Sequence, residues 1–431
     1  MFKIGLSSLG CAKNLVDSEI MLAMFPHDEF AFTSDPKEAD FIIVNTCGFI
    51  ESAKRESIDE ILSLAQYKAK VIVVGCLAER YEKELREELT EIDTIIPIRD
   101  YGKLHEVLRN LTGNPSILPF NPLQRVISTK PFTAYLRISE GCNNFCSFCA
   151  IPFIRGRFVS RPYEDIILEA KGLLEKGVKE ISIISQDTTI YGTDFKGAKP
   201  NIVDLLKELE GMGFYSIRLL YLYPGEISDE LIDLIAHSRV IAHYFDIPVQ
   251  CASDKLLRLM RRHVTQKETV ELFKKIKRRC PDAILRTTLI TGFSGETIGD
   301  QRKTIRFLED IEFDHMGCFL YSPEEGTLGE KLPHRVRHST KQKRFNELMG
   351  LQRKISYKKN KAHIGEVMEG LVIGKGRKKN EYLLRSTWNA PDDIDGNIYF
   401  SSSRELEEGG VVKVKITGAF VYDLYGELVE N

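Results

Sequence analysis

Glu140-Gly141-Cys142-Asn143-Asn144-Phe145-Cys146-Ser147-Phe148-Cys149 carries three cysteines spaced C-x3-C-x2-C. Thiolates at this spacing can ligate three irons of one four-iron cubane and leave the fourth iron without a protein ligand. An open iron can bind a small molecule directly, which is what chemistry at the metal needs. A zinc site would call for a fourth Cys or His close by, and none follows within the next few dozen residues. Three structural thiols are the bland alternative, because free Cys is often buried. Three cysteines crowded onto one loop, however, cannot all turn into a single core.

The whole chain sets the frame around that loop. Its 431 residues suffice for two or three domains. Sixty Lys and Arg against 62 Asp and Glu give −2, so overall charge announces neither a nucleic acid nor a membrane. Nine cysteines without a secretory apolar segment point to a reducing compartment and to metal or catalysis rather than disulfides. Met1-Phe2-Lys3-Ile4-Gly5 enters a strand directly, so no targeting segment is expected, and the apolar runs are too short to span a membrane. A cytoplasmic protein is the expectation.

Upstream of the loop, Lys3–Leu9, Phe41–Thr46 and Val71–Gly75 are apolar, β-rich runs of the kind buried in parallel sheets. Helical patterns follow each of them. Cys11, Cys47 and Cys76 each stand just past a strand end, beside Gly10, Gly48 and Gly75. Strand ends in an open parallel sheet share one edge, where ligands bind, so the three cysteines are expected on one rim. Chance placement of small residues at tight turns is the competing reading. Asn114 to Pro131 is rich in proline and has no period, as in an irregular linker.

Downstream, strands are expected at Ala134–Ser139, Glu180–Ser185, Ser216–Tyr221, Tyr244–Val249, Ile284–Ile290 and His315–Tyr321, with amphipathic helices between. Six such units predict an incomplete (β/α)6 barrel, whose chemistry belongs at the C-terminal strand ends. The cysteine loop follows the first strand. Ten Lys and Arg against Glu347 alone make 335–361 a basic helix, either a solvated face or an RNA contact. Beyond residue 362, short strands between Gly and Asp turns predict a small antiparallel barrel. That tail holds eight Lys and Arg against twelve Asp and Glu. The balance suits a basic protein partner better than RNA, and Asp392, Asp393 and Asp395 are the acids expected to meet it.

The C-x3-C-x2-C loop, with an aromatic before its last Cys, resembles the signature of the radical S-adenosylmethionine (SAM) enzymes. Gly10-Cys11-Ala12-Lys13-Asn14, Asn45-Thr46-Cys47-Gly48-Phe49 and Gly75-Cys76-Leu77-Ala78-Glu79 resemble the N-terminal domain of the methylthiotransferases within that superfamily, which usually have Pro where Ala12 stands. Ser185-Gln186-Asp187-Thr188-Thr189-Ile190-Tyr191-Gly192 is similar to the ribosomal-protein branch, RimO, as is Ala390-Pro391-Asp392-Asp393-Ile394-Asp395-Gly396 within a TRAM-like tail. Arg286-Thr287-Thr288 and Gly292-Phe293-Ser294-Gly295-Glu296-Thr297 match family wording too.

The resemblance implies an α/β multidomain chain: an N-terminal methylthiotransferase domain (1–113), a linker (114–132), a radical SAM domain (133–335), a basic connecting helix (336–361) and a TRAM domain (362–431). It implies two [4Fe-4S] clusters, one on Cys142, Cys146 and Cys149 and one on Cys11, Cys47 and Cys76. SAM would be lined by Gln186, Arg286, Thr288 and Gly292, the glycine giving the adenosine close access. No catalytic residue is singled out beyond the cluster ligands. One electron would cleave SAM to a 5′-deoxyadenosyl radical, and the product would be a methylthio group on the β-carbon of an aspartate in small-subunit ribosomal protein S-twelve. An electron donor such as a flavodoxin is implied. A tRNA adenosine methylthiotransferase of the same architecture and a non-enzymatic iron–sulfur RNA-binding protein are the alternatives. Cys251 stands where the family usually has His.

Overall fold

A computed structural model of the chain describes residues 1–197, 200–392 and 394–430. Its first part is a parallel sheet of β1 (Phe2–Ser8), β2 (Phe30–Phe32), β3 (Phe41–Thr46), β4 (Lys70–Gly75) and β5 (Thr94–Pro97), in the order β2-β1-β3-β4-β5. Helices α1 (Ala12–Leu22), α2 (Glu51–Leu64), α3 (Cys76–Arg80), α4 (Glu82–Glu88) and α5 (Leu104–Thr112) cover both faces. Strand side chains alternate between faces. Phe41, Ile43, Ile72 and Val74 therefore join Met21 of α1 and Leu108 of α5 in one core. Ile42, Val44, Val71 and Val73 join Ile61 of α2 and Leu77 of α3 in another. With both faces buried, the strands read as continuous apolar runs. Ser8 pairs with Asn45 and Thr46 with Gly75, so Cys11, Cys47 and Cys76 leave the sheet at the same edge.

The stretch 114–132 contains neither helix nor strand among the described residues, yet it is anchored. Ile117 is fully buried in the first core, and Arg125 pairs with Glu19 of α1 at 3.0 Å.

The central part begins with β6 (Thr133–Arg137) and a short antiparallel pair, β7 (Ser139–Glu140) and β8 (Val159–Ser160), that brackets the cysteine loop. It continues through β9 (Glu180–Ile184), β10 (Ser216–Leu219), β11 (Tyr244–Asp246), β12 (Ile284–Thr291) and β13 (His315–Leu320). These strands form two parallel stretches, β10-β9-β6 and β11-β12-β13, joined by a parallel bridge between Ile217 and Ile241. Helices α6 (Ile151–Ile154), α7 (Tyr163–Glu175), α8 (Ile202–Glu210), α9 (Asp229–His237), α10 (Asp254–Leu259), α11 (Gln266–Arg279) and α12 (Ile298–Ile311) connect them. Leu136, Ile183, Leu219, Phe245 and Leu289 point outward into one large core against those helices. Thr297 opens α12 with a reciprocal capping box to Asp300. On the inner side, Ala12, Val16 and Ile20 of α1 pack with Tyr135, Ile184 and Leu220. The N-terminal sheet thus lends a helix to the open barrel's interior.

Helix α13 (His338–Ala362) lies against the barrel rather than apart from it, with Leu348 and Ile355 in the barrel core. Several of its cations are committed there: Arg344 pairs with Glu296, Lys358 with Glu312, Lys359 with Asp314, and Lys341 donates to the Tyr321 carbonyl. Lys343, Arg353 and Lys354 stay exposed, with no carboxylate partner among the described residues. The closing barrel runs β14 (Val367–Lys375), β15 (Glu381–Arg385), β16 (Ile398–Ser401), β18 (Leu424–Leu428) and β17 (Val411–Ala419), and its β16–β18 pair is parallel.

The loop from β15 to β16 corrects two expectations. It plugs the bottom of the central barrel, at the N-terminal strand ends. Arg218 donates to the carbonyls of Ser386 and Thr387 at 2.7 and 3.2 Å, and His315 lies 2.7 Å from the Trp388 carbonyl. Asp395, with a fully buried side chain, accepts from Tyr244 Oη at 2.6 Å and from Arg286 at 3.2 Å, while Asp392 accepts from Tyr135 Oη. Asp395 is therefore a structural acid rather than part of a face for a partner, while Asp392 accepts from Tyr135 yet stays exposed; Asp393 lies outside the described residues. Arg286, expected at the SAM pocket, is held in this plug by Asp395 and by Asp246 at 2.7 Å. Burial alone would raise Asp395, but His315 and Arg286 hold its carboxyl below the usual range. Breaking a buried pair strands the remaining charge, so Asp395→Ala is expected to cost about 3–5 kcal/mol in urea unfolding. A loss within about 0.5 kcal/mol, as for an ordinary surface change, would contradict this account of the plug. Deleting the tail would uncover the same charges, so it would disturb the barrel as well as any partner contact.

Candidate functional site

The cysteine loop is pinned at both ends. Ser147 donates from its backbone to the Met260 carbonyl at 3.0 Å and from its hydroxyl to the Leu259 carbonyl at 2.7 Å. Asn144 donates to Asp187 at 2.7 Å and approaches Cys142 Sγ at 3.5 Å. Cys142, Cys146 and Cys149 are all half-buried. Burial, with Cys146 adding to it, pushes the Cys149 thiol up to about 12. Such a sulfur is a thiolate at neutral pH only where a metal replaces its proton.

Backbone strain gathers along this rim. Phe145, Tyr221 and Gln250 hold left-handed φ angles of 45°, 74° and 70° without being glycine, and such strain concentrates at functional sites. Buried polar atoms without a partner among the described residues gather there too: Gln186 Oε1, Thr291 Oγ1, Ser294 Oγ and Tyr321 Oη, all at or past C-terminal strand ends. Buried polar groups are costly to leave unpaired, and these suit a polar ligand seated on the rim.

The second set forms at the sheet edge, where Gly10 and Gly75 take left-handed φ of 90° and 95°. A Cβ at Gly10 would lie 2.7 Å from Cys47 Cβ, and one at Gly75 would lie 2.4 Å from Asn45 Oδ1. Only glycine fits either place. Burial pushes Cys47 up to about 12, with Cys76 and Cys11 adding to the rise, so the three sulfurs share one electrostatic site. Cys11 is exposed, while Cys47 and Cys76 are buried.

Arg155, six residues past Cys149, joins the two sets. It donates to Asp17 at 2.7 Å, Glu140 at 3.0 Å and Asn14 at 2.5 Å, and lies 3.6 Å from Cys76 Sγ. Glu140 in turn accepts from Gln186 at 3.2 Å. Arg137 reaches Asp17 as well, at 2.6 Å. Burial would raise Asp17, but Arg155 and Arg137 hold it below its ordinary value. Cys76 also packs with Ala150 and Ile154, directly after Cys149. The sequence reading missed Arg155; its position just beyond the last cysteine was the available signal.

All-cysteine triads suit a cubane. Elsewhere, His243, Cys280 and Asp282 bring three possible ligand atoms within 4.8 Å of one another.

Of the other expected residues, Gln186 sits on the rim. Thr288 lies one inward position above Arg286, its hydroxyl 3.7 Å from where a Gly317 Cβ would stand. Gly292 holds a left-handed φ of 78°, and a Cβ there would meet the side chain of Lys341 of α13. Cys251 is buried with Leu256, Leu257, Met260, Phe293 and Tyr321, and burial pushes its thiol up to about 12. It acts as a core residue.

An incomplete parallel barrel with an all-cysteine loop after its first strand defines a radical SAM enzyme, and residues 136–308 match the Radical SAM superfamily. Membership brings SAM and a [4Fe-4S] cluster with it. Residues 3–97 match the uncharacterized protein family UPF0004 and residues 364–429 the TRAM domain. The chain belongs to the ribosomal protein uS12 methylthiotransferase RimO family. It is 43% identical to the protein of that name from Acetivibrio thermocellus over 449 residues, covering 100% of this chain and 99% of the relative. It is 45% identical to that from Pelotomaculum thermopropionicum over 442 residues, covering 99% of each. Among solved structures, the radical SAM methyltransferase TsrM from Kitasatospora setae shares the fold at TM-score 0.54 and 13% identity, over 77% of this chain and 75% of that one. The cobalamin-dependent SAM radical enzyme OxsB does so at TM-score 0.50 and 12% identity, over 82% of this chain and 56% of that one. No helix among the described residues is long and apolar enough to cross a membrane.

Proposed function

We propose that this chain places a methylthio group on the β-carbon of one aspartate of ribosomal protein uS12. The observation that supports the reading is the Arg155 bridge, which ties Glu140, beside the cysteine loop, to Asp17 and Cys76 of the N-terminal domain. Cys142, Cys146 and Cys149 would hold the cluster that binds SAM, and Cys11, Cys47 and Cys76 a second [4Fe-4S] cluster. When bound, these groups supply hydrogen-atom abstraction from an unactivated carbon and the sulfur that replaces the hydrogen. Gln186 and Thr288 line the SAM side, while Asp187 fixes the cysteine loop through Asn144. Asp17 and Arg155 hold α1 against the barrel and so fix the separation of the two sets. The proposed boundaries are 1–113, 114–132, 133–335, 336–361 and 362–431.

The proposed partners are uS12, an electron donor such as a flavodoxin, and ribosomal RNA at Lys343, Arg353 and Lys354. With these partners, the proposed location is the cytoplasm. The test is anaerobic turnover with SAM, sulfide and a reductant, offering uS12 and tRNA together. Mass spectrometry is expected to find a methylthio group on uS12 and none on tRNA; the reverse would establish the tRNA alternative.

A further inference from the structure

Lys13 is a largely buried lysine whose ammonium has no hydrogen-bond acceptor among the described residues. It lies in the first turn of α1, two residues after Cys11, and is 7% exposed. The other buried Arg side chains have oxygen partners. Arg125 has Glu19, Arg137 and Arg155 share Asp17, Arg344 has Glu296, and Arg218 and Arg262 reach the carbonyls of Ser386 and Pro248. Among the described residues Lys13 has a ring face alone: Nζ stands 3.2 Å from the centroid of Tyr221. An ammonium carries three donors, and a ring face answers its charge without accepting them fully. Its three donors are free to take an anionic ligand.

Tyr221 is placed with some care. It follows β10 on the barrel rim with a left-handed φ of 74°. Its N–H donates to Asp246 at 3.0 Å, and its carbonyl accepts from Thr188 at 3.1 Å. Those two bonds hold a strained backbone that sets the ring against Lys13. Since α1 belongs to the sheet that carries Cys11, and Tyr221 to the barrel that carries the Cys142 loop, the ammonium sits where the two halves of the site meet.

We propose that Lys13 receives the side-chain carboxylate of the substrate aspartate, and so holds its β-carbon between the two cysteine sets. This rests on the reading of uS12 as substrate and adds the group that selects aspartate. A carboxamide has the same shape but no charge, and it offers the ammonium one acceptor oxygen instead of two. Lys13 is thus a binding and specificity residue.

The test compares uS12 with uS12 in which the modified aspartate is replaced by asparagine, using anaerobically reconstituted enzyme. Removing one partner of a buried charge pair weakens binding strongly, so Lys13→Met is expected to lower kcat/KM for the aspartate substrate by about 10²-fold. The Asp-over-Asn preference should fall toward unity in the same variant. Lys13→Arg is expected to keep the preference, and Lys13→Gln provides a second neutral variant should Met disturb α1. Iron content equal to the parent's shows in each case that Cys11 still holds its cluster. Purely structural action would lower activity on both substrates equally. An iron-replete Lys13→Met or Lys13→Gln enzyme that retains the parental preference for aspartate overturns the inference alone. Parent enzyme inert on uS12 overturns the functional reading, and the role of Lys13 with it.

Discussion

Replacing Cys142, Cys146 and Cys149 together by Ala is expected to leave about half of the iron, on the order of four of eight atoms per chain, and to abolish formation of 5′-deoxyadenosine. The loss should be complete because the three sulfurs share one loop after β6 and none has a substitute nearby. Cys251, the next cysteine in sequence, is packed among Leu256, Met260 and Phe293 and cannot turn toward the rim without emptying that core. Iron is measured colorimetrically after anaerobic reconstitution, and 5′-deoxyadenosine by liquid chromatography. A triple variant with full iron would show that the loop holds no cluster.

A different loss is expected when Cys11, Cys47 and Cys76 are replaced by Ser. About half of the iron should again disappear, but 5′-deoxyadenosine should still form while the methylthio product does not. The distinction follows from placement. Cys11 caps α1, Cys47 follows β3 and Cys76 opens α3, all in the N-terminal domain, whereas the orphaned polar atoms Gln186 Oε1, Thr291 Oγ1 and Ser294 Oγ belong to the barrel. Serine keeps the size of the thiol, so Asn14 and Arg155 retain a neighbour where Cys76 stood. Normal methylthiolation by this variant would remove the proposed sulfur-delivery role from the N-terminal domain.

What could be read in advance divides by range along the chain. Strand ends, glycine turns and the cysteines beside them are local patterns, and the register Ser8 with Asn45 and Thr46 with Gly75 places all three on one edge as expected. The six-stranded arc followed from alternating strand and helix periods for the same reason. Arg286 was misplaced because the family wording around it says nothing about a partner more than a hundred residues away. Asp395 enters the barrel bottom and claims that guanidinium. Within the acidic tail, Asp395 was likewise read as surface charge, although its buried carboxylate faces Tyr244 and Arg286. A count of charges carries no sign of which are buried. Gly292 carried the right turn signal, and the Lys341 side chain of α13 beside it lies too far along the chain for a local pattern to announce.

Hydrogen removal from a particular carbon is the central claim, and isotope transfer tests it most directly. uS12 carrying deuterium at the β-carbon of the modified aspartate is turned over anaerobically with SAM and reductant. Mass spectrometry then follows both products. The account requires deuterium in 5′-deoxyadenosine and a methylthio group on that same aspartate. Unlabelled 5′-deoxyadenosine together with unmodified uS12 would contradict it.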